Sequence, residues 1–240
     1  MENQQTGKGN VIVTGGSKGI GKAIALKFAA EGYPVLLCAR TEATLLSTAE
    51  EIKEAQNTAI VKTFAADLSE KAMVLAFAEW CLQQGVPAIL INNAGTYLPG
   101  NASDEIEGSL EKMMDTNLYS AYHLTRKLLP AMRTAQTGHI FNICSIAGLK
   151  AYEGGGAYSI SKFALNGFSQ NLRHELKSTG IKVTTVFPGA VMTDSWAGFD
   201  NSEGRIMEAG DIANMVFAAA QLSSQAVVEE IVLRPQLGDL

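Results

Sequence analysis

The chain has 240 residues, 47% of them hydrophobic and 18% charged, a length and balance that suit one compact domain and give no compositional ground for disorder. Its formal net charge is −5 and its Lys and Arg residues form no run, which argues against the concentrated positive charge of a nucleic-acid-binding or anionic-membrane-binding surface. Cys38, Cys81 and Cys144 are odd in number and widely spaced, so neither a disulfide framework nor a metal site is expected.

Residues 1–8 are polar, and no apolar run approaches the roughly 18 residues of a bilayer span, so the expectation is a soluble, non-exported, cytoplasmic protein. No repeat or Pro/Gly/Ser-rich linker divides the chain, and 1–240 reads as a single domain. Short runs rich in Val and Ile alternate with longer segments whose apolar residues fall three and four apart, the signature of βαβ units around a parallel sheet.

The first run, 10–14, leads directly into Thr14-Gly15-Gly16-Ser17-Lys18-Gly19-Ile20-Gly21, which opens a helix over 20–31. In that strand–turn–helix setting Gly15 permits the sharp turn, Gly19 lets the backbone approach a pyrophosphate, and Gly21 allows helix and strand to pack closely. Unpaired amides and the positive end of the helix dipole then face the phosphates. The second run, 34–39, ends at Cys38-Ala39-Arg40, where a dinucleotide site keeps an acidic ribose ligand. No carboxylate stands there. Arg40 offers its fork to a 2′-phosphate instead, with Lys18 as a candidate helper, which favours NADP(H) over NAD(H). The plain alternative for Arg40 is a solvated surface charge.

A helix over 42–56 and a run at 59–65 follow, and Asp67-Leu68-Ser69 has the look of an N-cap for a helix over 71–84. The run 88–92 enters Asn92-Asn93-Ala94-Gly95. A long helical segment, 111–134, carries Asn117, which taken singly is a cap or a partner for backbone groups. The run 138–144 ends at Ser145, and a helix over 157–178 begins Tyr158-Ser159-Ile160-Ser161-Lys162. The run 181–187 precedes Pro188-Gly189, and a helix over 209–222 precedes a last run at 227–233. Seven buried strands flanked by helices fit a doubly wound parallel α/β sheet, whose ligands bind outside the carboxyl ends of the strands, where every one of these motifs lies.

Tyr158 and Lys162, at i and i+4, share one helix face with Cβ atoms roughly 5–6 Å apart. A phenol ordinarily holds its proton too tightly to relay it at neutral pH, and an ammonium on the same face favours the phenolate. Ser145, on the same rim, has a hydroxyl able to bond a substrate oxygen and polarise a carbonyl, although alone it reads equally as a cap.

In order and spacing, the glycine motif, Asn92 to Gly95, Asn117, Ser145, the Tyr158–Lys162 motif and Pro188-Gly189 resemble the short-chain dehydrogenases/reductases, over nearly the whole chain. The resemblance implies a Rossmann-type fold and hydride transfer between NADP(H) and a small carbonyl or alcohol. It implies Tyr158 as general acid in reduction, Ser145 as support for the substrate oxygen, Lys162 as a further ribose ligand, and Asn117 as holder of a relay water. It also implies cofactor contacts from Gly15, Ser17, Lys18, Gly19, Ile20 and Gly21. Further contacts are expected from Asp67 and Leu68 near the adenine, from Asn93, Ala94 and Gly95, and from Pro188, Gly189, Val191 and Thr193 near the nicotinamide.

Residues 194–208 read as a lid over the substrate, with Trp196 and Phe199 either stacking on a ring or anchoring the loop to the core. The ending, 227–240, is similar to that of bacterial sepiapterin-reductase-like and carbonyl reductase members, which favours a pteridine-like, dicarbonyl or aromatic ketone substrate. A 3-oxoacyl reductase is the alternative substrate reading. A non-catalytic NADP-sensing protein is the alternative of another class, and predicts a degraded catalytic set. The resemblance also implies a homodimer or homotetramer formed through 111–134 and 157–178.

Overall fold

In the computed structural model, residues 8–196 and 198–239 are described. Seven strands, β1 Asn10–Thr14, β2 Val35–Ala39, β3 Val61–Ala65, β4 Pro87–Asn92, β5 Gly138–Ile143, β6 Ile181–Pro188 and β7 Glu230–Leu233, make one sheet in the order β3-β2-β1-β4-β5-β6-β7. Every pairing is parallel. The order reverses between β1 and β4, and the crevice at their carboxyl ends is where a doubly wound sheet binds its ligand.

The central strands read as unbroken apolar runs because helices cover both faces. Val11 and Val13 point into one core layer with Ile24 and Phe28 of α1 (Gly19–Ala30), Leu45 and Ile52 of α2 (Glu42–Ala55), and Ile212 and Val216 of α7 (Ala209–Ala220). Ile12 points the other way, into a layer with Val74 and Phe77 of α3 (Lys71–Gln83), Leu124 and Leu128 of α5 (Ser120–Ala135), and Leu172 and Leu176 of α6 (Gly156–Leu176). Burying a side chain the size of Phe28 or Phe77 contributes about 1.5–3 kcal/mol each.

Three expectations need correction. β3 is half-buried rather than buried, because it is the sheet edge and has a neighbour on one side only. β7 begins at Glu230, not at 227. The helix expected over 111–134 is broken: α4 (Ser109–Met114) passes through a π turn at Asp115–Tyr119 before α5 begins. A π turn inserted in a helix frequently marks a functional position, and Asn117 sits at its middle. None of the described helices is long and apolar enough to cross a membrane.

Candidate active site

The crevice is built from the β1 end outward. Thr14 closes β1, and its hydroxyl accepts hydrogen bonds from the amides of Asn93 and Ala94, 2.9 Å each. In return Asn93 Nδ2 donates to the carbonyls of Thr14 (3.0 Å) and Gly15 (3.1 Å). The segment after β4 therefore braces the glycine loop. Gly15 and Gly19 take φ of +62° and +50°, the left-handed region that favours glycine. A Cβ on Gly21 would overlap the Gly15 carbonyl oxygen and the Asn93 amide. α1 then starts with no side-chain cap and no acidic residue in its first turn. Such a cradle fits a pyrophosphate: backbone donors at a helix start, and glycines that bring no side chain of their own.

Ser17 and Ile20 are half-buried in this loop, and the Ser17 carbonyl is held by Thr48 Oγ1 at 3.0 Å. Arg40 is exposed at the end of β2, with no hydrogen bond or ion pair to its side chain among the described residues. Lys18, also exposed, is paired with Asp194 at 2.6 Å. Asp67 is not the cap of α3, which is Glu70 without a side-chain bond. It closes a turn instead, accepting from Ser69 N (3.0 Å) and Ser69 Oγ (2.7 Å), bonds that hold its carboxyl below the usual range with Arg40 as a minor contributor. Leu68 is buried beside it.

On the far side of the switch point, Ser145 follows β5 in extended conformation and caps the short turn Ile146–Gly148, its hydroxyl oxygen accepting from Ala147 N at 3.1 Å. α6 carries Tyr158 and Lys162 on one face, with Lys162 Nζ 5.7 Å from the Tyr158 ring centroid. Lys162 is 4% exposed, and its ammonium donates to the Ile143 carbonyl at 3.0 Å, which pins α6 to the end of β5. Asn117 is spent within the protein. Its Oδ1 accepts from Thr96 N (2.7 Å), and its Nδ2 donates to Thr96 O (3.0 Å) and Ser161 Oγ (2.9 Å).

Gly95 joins the two halves: a Cβ there would lie 3.3 Å from Asn117 Oδ1 and 3.6 Å from Lys162 Nζ. Glycine loop, Ala94, Gly95, Asn117 and Lys162 thus form one continuous rim. Beyond β6, Pro188 ends the strand, and Gly189 N bonds the Leu233 carbonyl at 2.8 Å. Val191 forms an isolated bridge with Met207, and Thr193 packs on Gly19, its Cγ2 2.9 Å from where a Cβ would stand. Trp196 and Phe199 meet edge to face at 5.3 Å. The loop they sit on is tied down at its far end, where Ile206 is buried and Arg205 bonds the carbonyls of Gly238 and Asp239.

Several residues that build this rim carry no local signal of that role in the sequence. Thr14 and Ser161 lie inside the glycine and Tyr158–Lys162 motifs, but the bonds by which they brace the rim run far along the chain, to Asn93 and Ala94 and to Asn117. Glu105, whose Oε2 accepts from Ala157 N at 3.0 Å at the start of α6, gave no local signal. Tyr97 lies edge to face with Tyr158 at 5.0 Å.

Residues 9–204 match the family model described as short chain dehydrogenase. The sepiapterin reductase of Chlorobaculum tepidum is 36% identical over 239 residues, covering 96% of this chain and 97% of that protein. Among solved structures, a metagenomic short-chain oxidoreductase in complex with NADP is 33% identical, with a TM-score of 0.83 over 95% of this chain and 97% of that one. A variant actinorhodin polyketide ketoreductase with NADPH is 27% identical, with a TM-score of 0.88 over 98% and 99% of the two chains.

Proposed function

We propose that this chain, which belongs to the short-chain dehydrogenase family, is an NADP(H)-dependent oxidoreductase that interconverts a small carbonyl compound and its alcohol. The observation that carries the reading is the approach of Lys162 Nζ to within 5.7 Å of the Tyr158 ring centroid, on a rim continuous with the glycine cradle.

When bound, the nicotinamide supplies or accepts the hydride. Residues of the chain handle the proton and the developing charge. In reduction Tyr158 gives its phenol proton to the substrate oxygen. Ser145 Oγ, whose lone pair is engaged by Ala147 N, keeps its own proton to donate to that same oxygen. Lys162 stabilises the charge left on the phenol oxygen, and of its three N–H donors the two not directed at Ile143 O would hold the ribose hydroxyls of a bound cofactor. The Asn117 side chain is engaged by Thr96 and Ser161, so its water-holding role falls to its backbone in the π turn, where the helical ladder is disturbed. Oxidation runs the same proton path in reverse.

NADP(H) over NAD(H) is supported by Arg40, exposed where an NAD site keeps a carboxylate. The complexes of similar proteins with NADP and NADPH point the same way. Likeness to a sepiapterin reductase supports a pteridine-like, dicarbonyl or aromatic ketone substrate. Self-association is supported by Tyr119, Ile160 and Phe163, which leave apolar surface exposed on the π turn and α6. A reducing compartment, the cytoplasm, suits three free buried thiols.

The test is thermal protection by NADP+ and NAD+ in parallel, then NADPH oxidation with a carbonyl panel by wild type, Tyr158→Phe and Arg40→Ala. Selective protection by NADP+, weakened in Arg40→Ala, together with turnover abolished in Tyr158→Phe, is the expected result. No protection by either cofactor would end the dehydrogenase reading, and protection without turnover on any carbonyl would favour a sensor.

A further inference from the structure

Two loops that carry no assigned function frame Tyr158. One follows β4 and bears Tyr97; the other precedes α6 and bears Tyr152. Both residues are exposed, 40% and 44% respectively, although each is of a type that gains by burial. The loops are fastened to one another by Gly100 N donating to Gly154 O (3.2 Å) and Gly154 N to Asn101 Oδ1 (2.8 Å), and the first is tied to the start of α6 by Ala157 N donating to Glu105 Oε2 (3.0 Å). A Cβ on Gly156 would overlap Gly100 O and Glu105 Oε2, so the loops are in close contact there. The Tyr152 ring rests on the Gly155 backbone, with Cε1 3.0 Å from where a Cβ on Gly155 would be. Tyr97 meets the Tyr158 ring edge-on, 5.0 Å between centroids at an interplanar angle of 81°.

These contacts place two tyrosines beside the phenol assigned to proton transfer, Tyr97 against its ring and Tyr152 on the Gly155 backbone. From this arrangement we infer that Tyr97 and Tyr152 form a ring-selective wall next to Tyr158, favouring aromatic or heteroaromatic carbonyl substrates over straight-chain ones with the same carbonyl chemistry. The inference rests on the reading of Tyr158 as the group that faces the substrate oxygen. Aromatic rings offer faces and edges to a planar ring held at the site, and a straight chain has no comparable electrostatic complement. The Tyr152 phenol keeps its proton well above the ordinary tyrosine range, through burial of its hydroxyl first and the neighbouring Tyr97 and Tyr158 phenols after it.

The test compares two vicinal diketones, phenylpropanedione and diacetyl, as NADPH-dependent substrates of wild type, Tyr97→Ala, Tyr152→Ala and Tyr97→Phe. Each alanine variant is expected to lower kcat/KM for the aryl diketone about fivefold, chiefly through KM, the loss of one aromatic pair. Diacetyl should stay within about twofold, and Tyr97→Phe should retain the aryl preference, because the ring is kept. Equal losses on both diketones, or no loss on either, would overturn the wall. A second readout needs no turnover: saturation-transfer NMR of the phenyl protons of phenylpropanedione on NADP+-saturated Tyr158→Phe protein, with and without Tyr97→Ala. If no carbonyl is reduced, the oxidoreductase reading fails while this signal still decides the wall. Phenyl saturation that disappears with Tyr97 supports it, and saturation that is absent or indifferent to Tyr97 refutes it.

Discussion

Gly21 meets the carbonyl oxygen of Gly15 with no room for a methyl group between them, and the Asn93 amide closes the same space from the β4 side. Helix α1 can start where it does only because that Cβ is missing. Gly21→Ala must push the glycine loop and Asn93 apart, an overpacking cost of about 1–3 kcal/mol. It should lower the thermal midpoint and remove protection by NADP+. Gly210→Ala, with open space around it and an ordinary φ, is the control, and should change stability by no more than about 0.5 kcal/mol. Equal effects of the two substitutions would mean that the close packing at Gly21 is not what matters.

Glu105 holds the start of the helix that carries the proposed proton donor. Its carboxylate accepts from Ala157 N one residue before Tyr158, and its negative charge lies at the positive end of the α6 dipole. Glu105→Ala should cost about 1 kcal/mol of stability and lower kcat, while NADP+ protection, which draws on the glycine loop, stays near wild type. Glu105→Gln keeps an acceptor oxygen and should recover most of the loss. A variant whose cofactor protection falls as far as its turnover would show that Glu105 supports the whole fold rather than the α6 end.

Much of this architecture is legible in the sequence because it is local. The apolar runs of the central strands report burial on both faces, and the glycine loop, Ser145 and the Tyr158–Lys162 pair each lie within a few residues of a strand end or helix start. What the sequence hides is long-range or a matter of register. The Thr14 hydroxyl finds its amides 79 and 80 residues away, and Lys18 pairs with a carboxylate 176 residues on. The π turn shifts register inside a segment whose apolar spacing still looks helical, so 111–134 reads as unbroken. β3 mixes Lys62 and Thr63 with its apolar residues, and its place at the sheet edge leaves it half-buried.

All three thiols should be silent toward Ellman's reagent in the native protein. Burial pushes the Cys38 thiol up to about 12 and raises Cys81 and Cys144 as well, and the thiolate is the reacting form. Guanidinium should release all three. A single thiol reacting quickly without denaturant would mark a segment that opens locally, and the identity of that cysteine would locate it.

His139 makes the stability of the fold depend on acid. Its Nε2 lies 2.7 Å from Thr184 Oγ1, and Thr184 directs its own hydroxyl proton to the Val228 carbonyl at 2.6 Å. The imidazole must therefore donate through Nε2. The ring is buried against Phe141, centroids 3.9 Å apart, and burial, with Lys182 as the lesser cause, depresses its pKa to about 3. Above the unfolded value of about 6.5 both states are neutral and this residue adds no pH dependence. Between there and about 3 the unfolded chain binds a proton that the folded protein refuses, so stability falls as pH falls, by up to about 1.4 kcal/mol per unit. Below the folded pKa the loss levels off. His139→Gln keeps a donor for Thr184 without the titration. Urea unfolding of both proteins at pH 7, 6, 5 and 4.5 cancels the carboxylates they share. The wild-type advantage over the variant should shrink steadily below about pH 6.5. An advantage that stays constant across the series would mean that His139 titrates alike in the folded and unfolded chains, and that its ring is reached by water in the native protein.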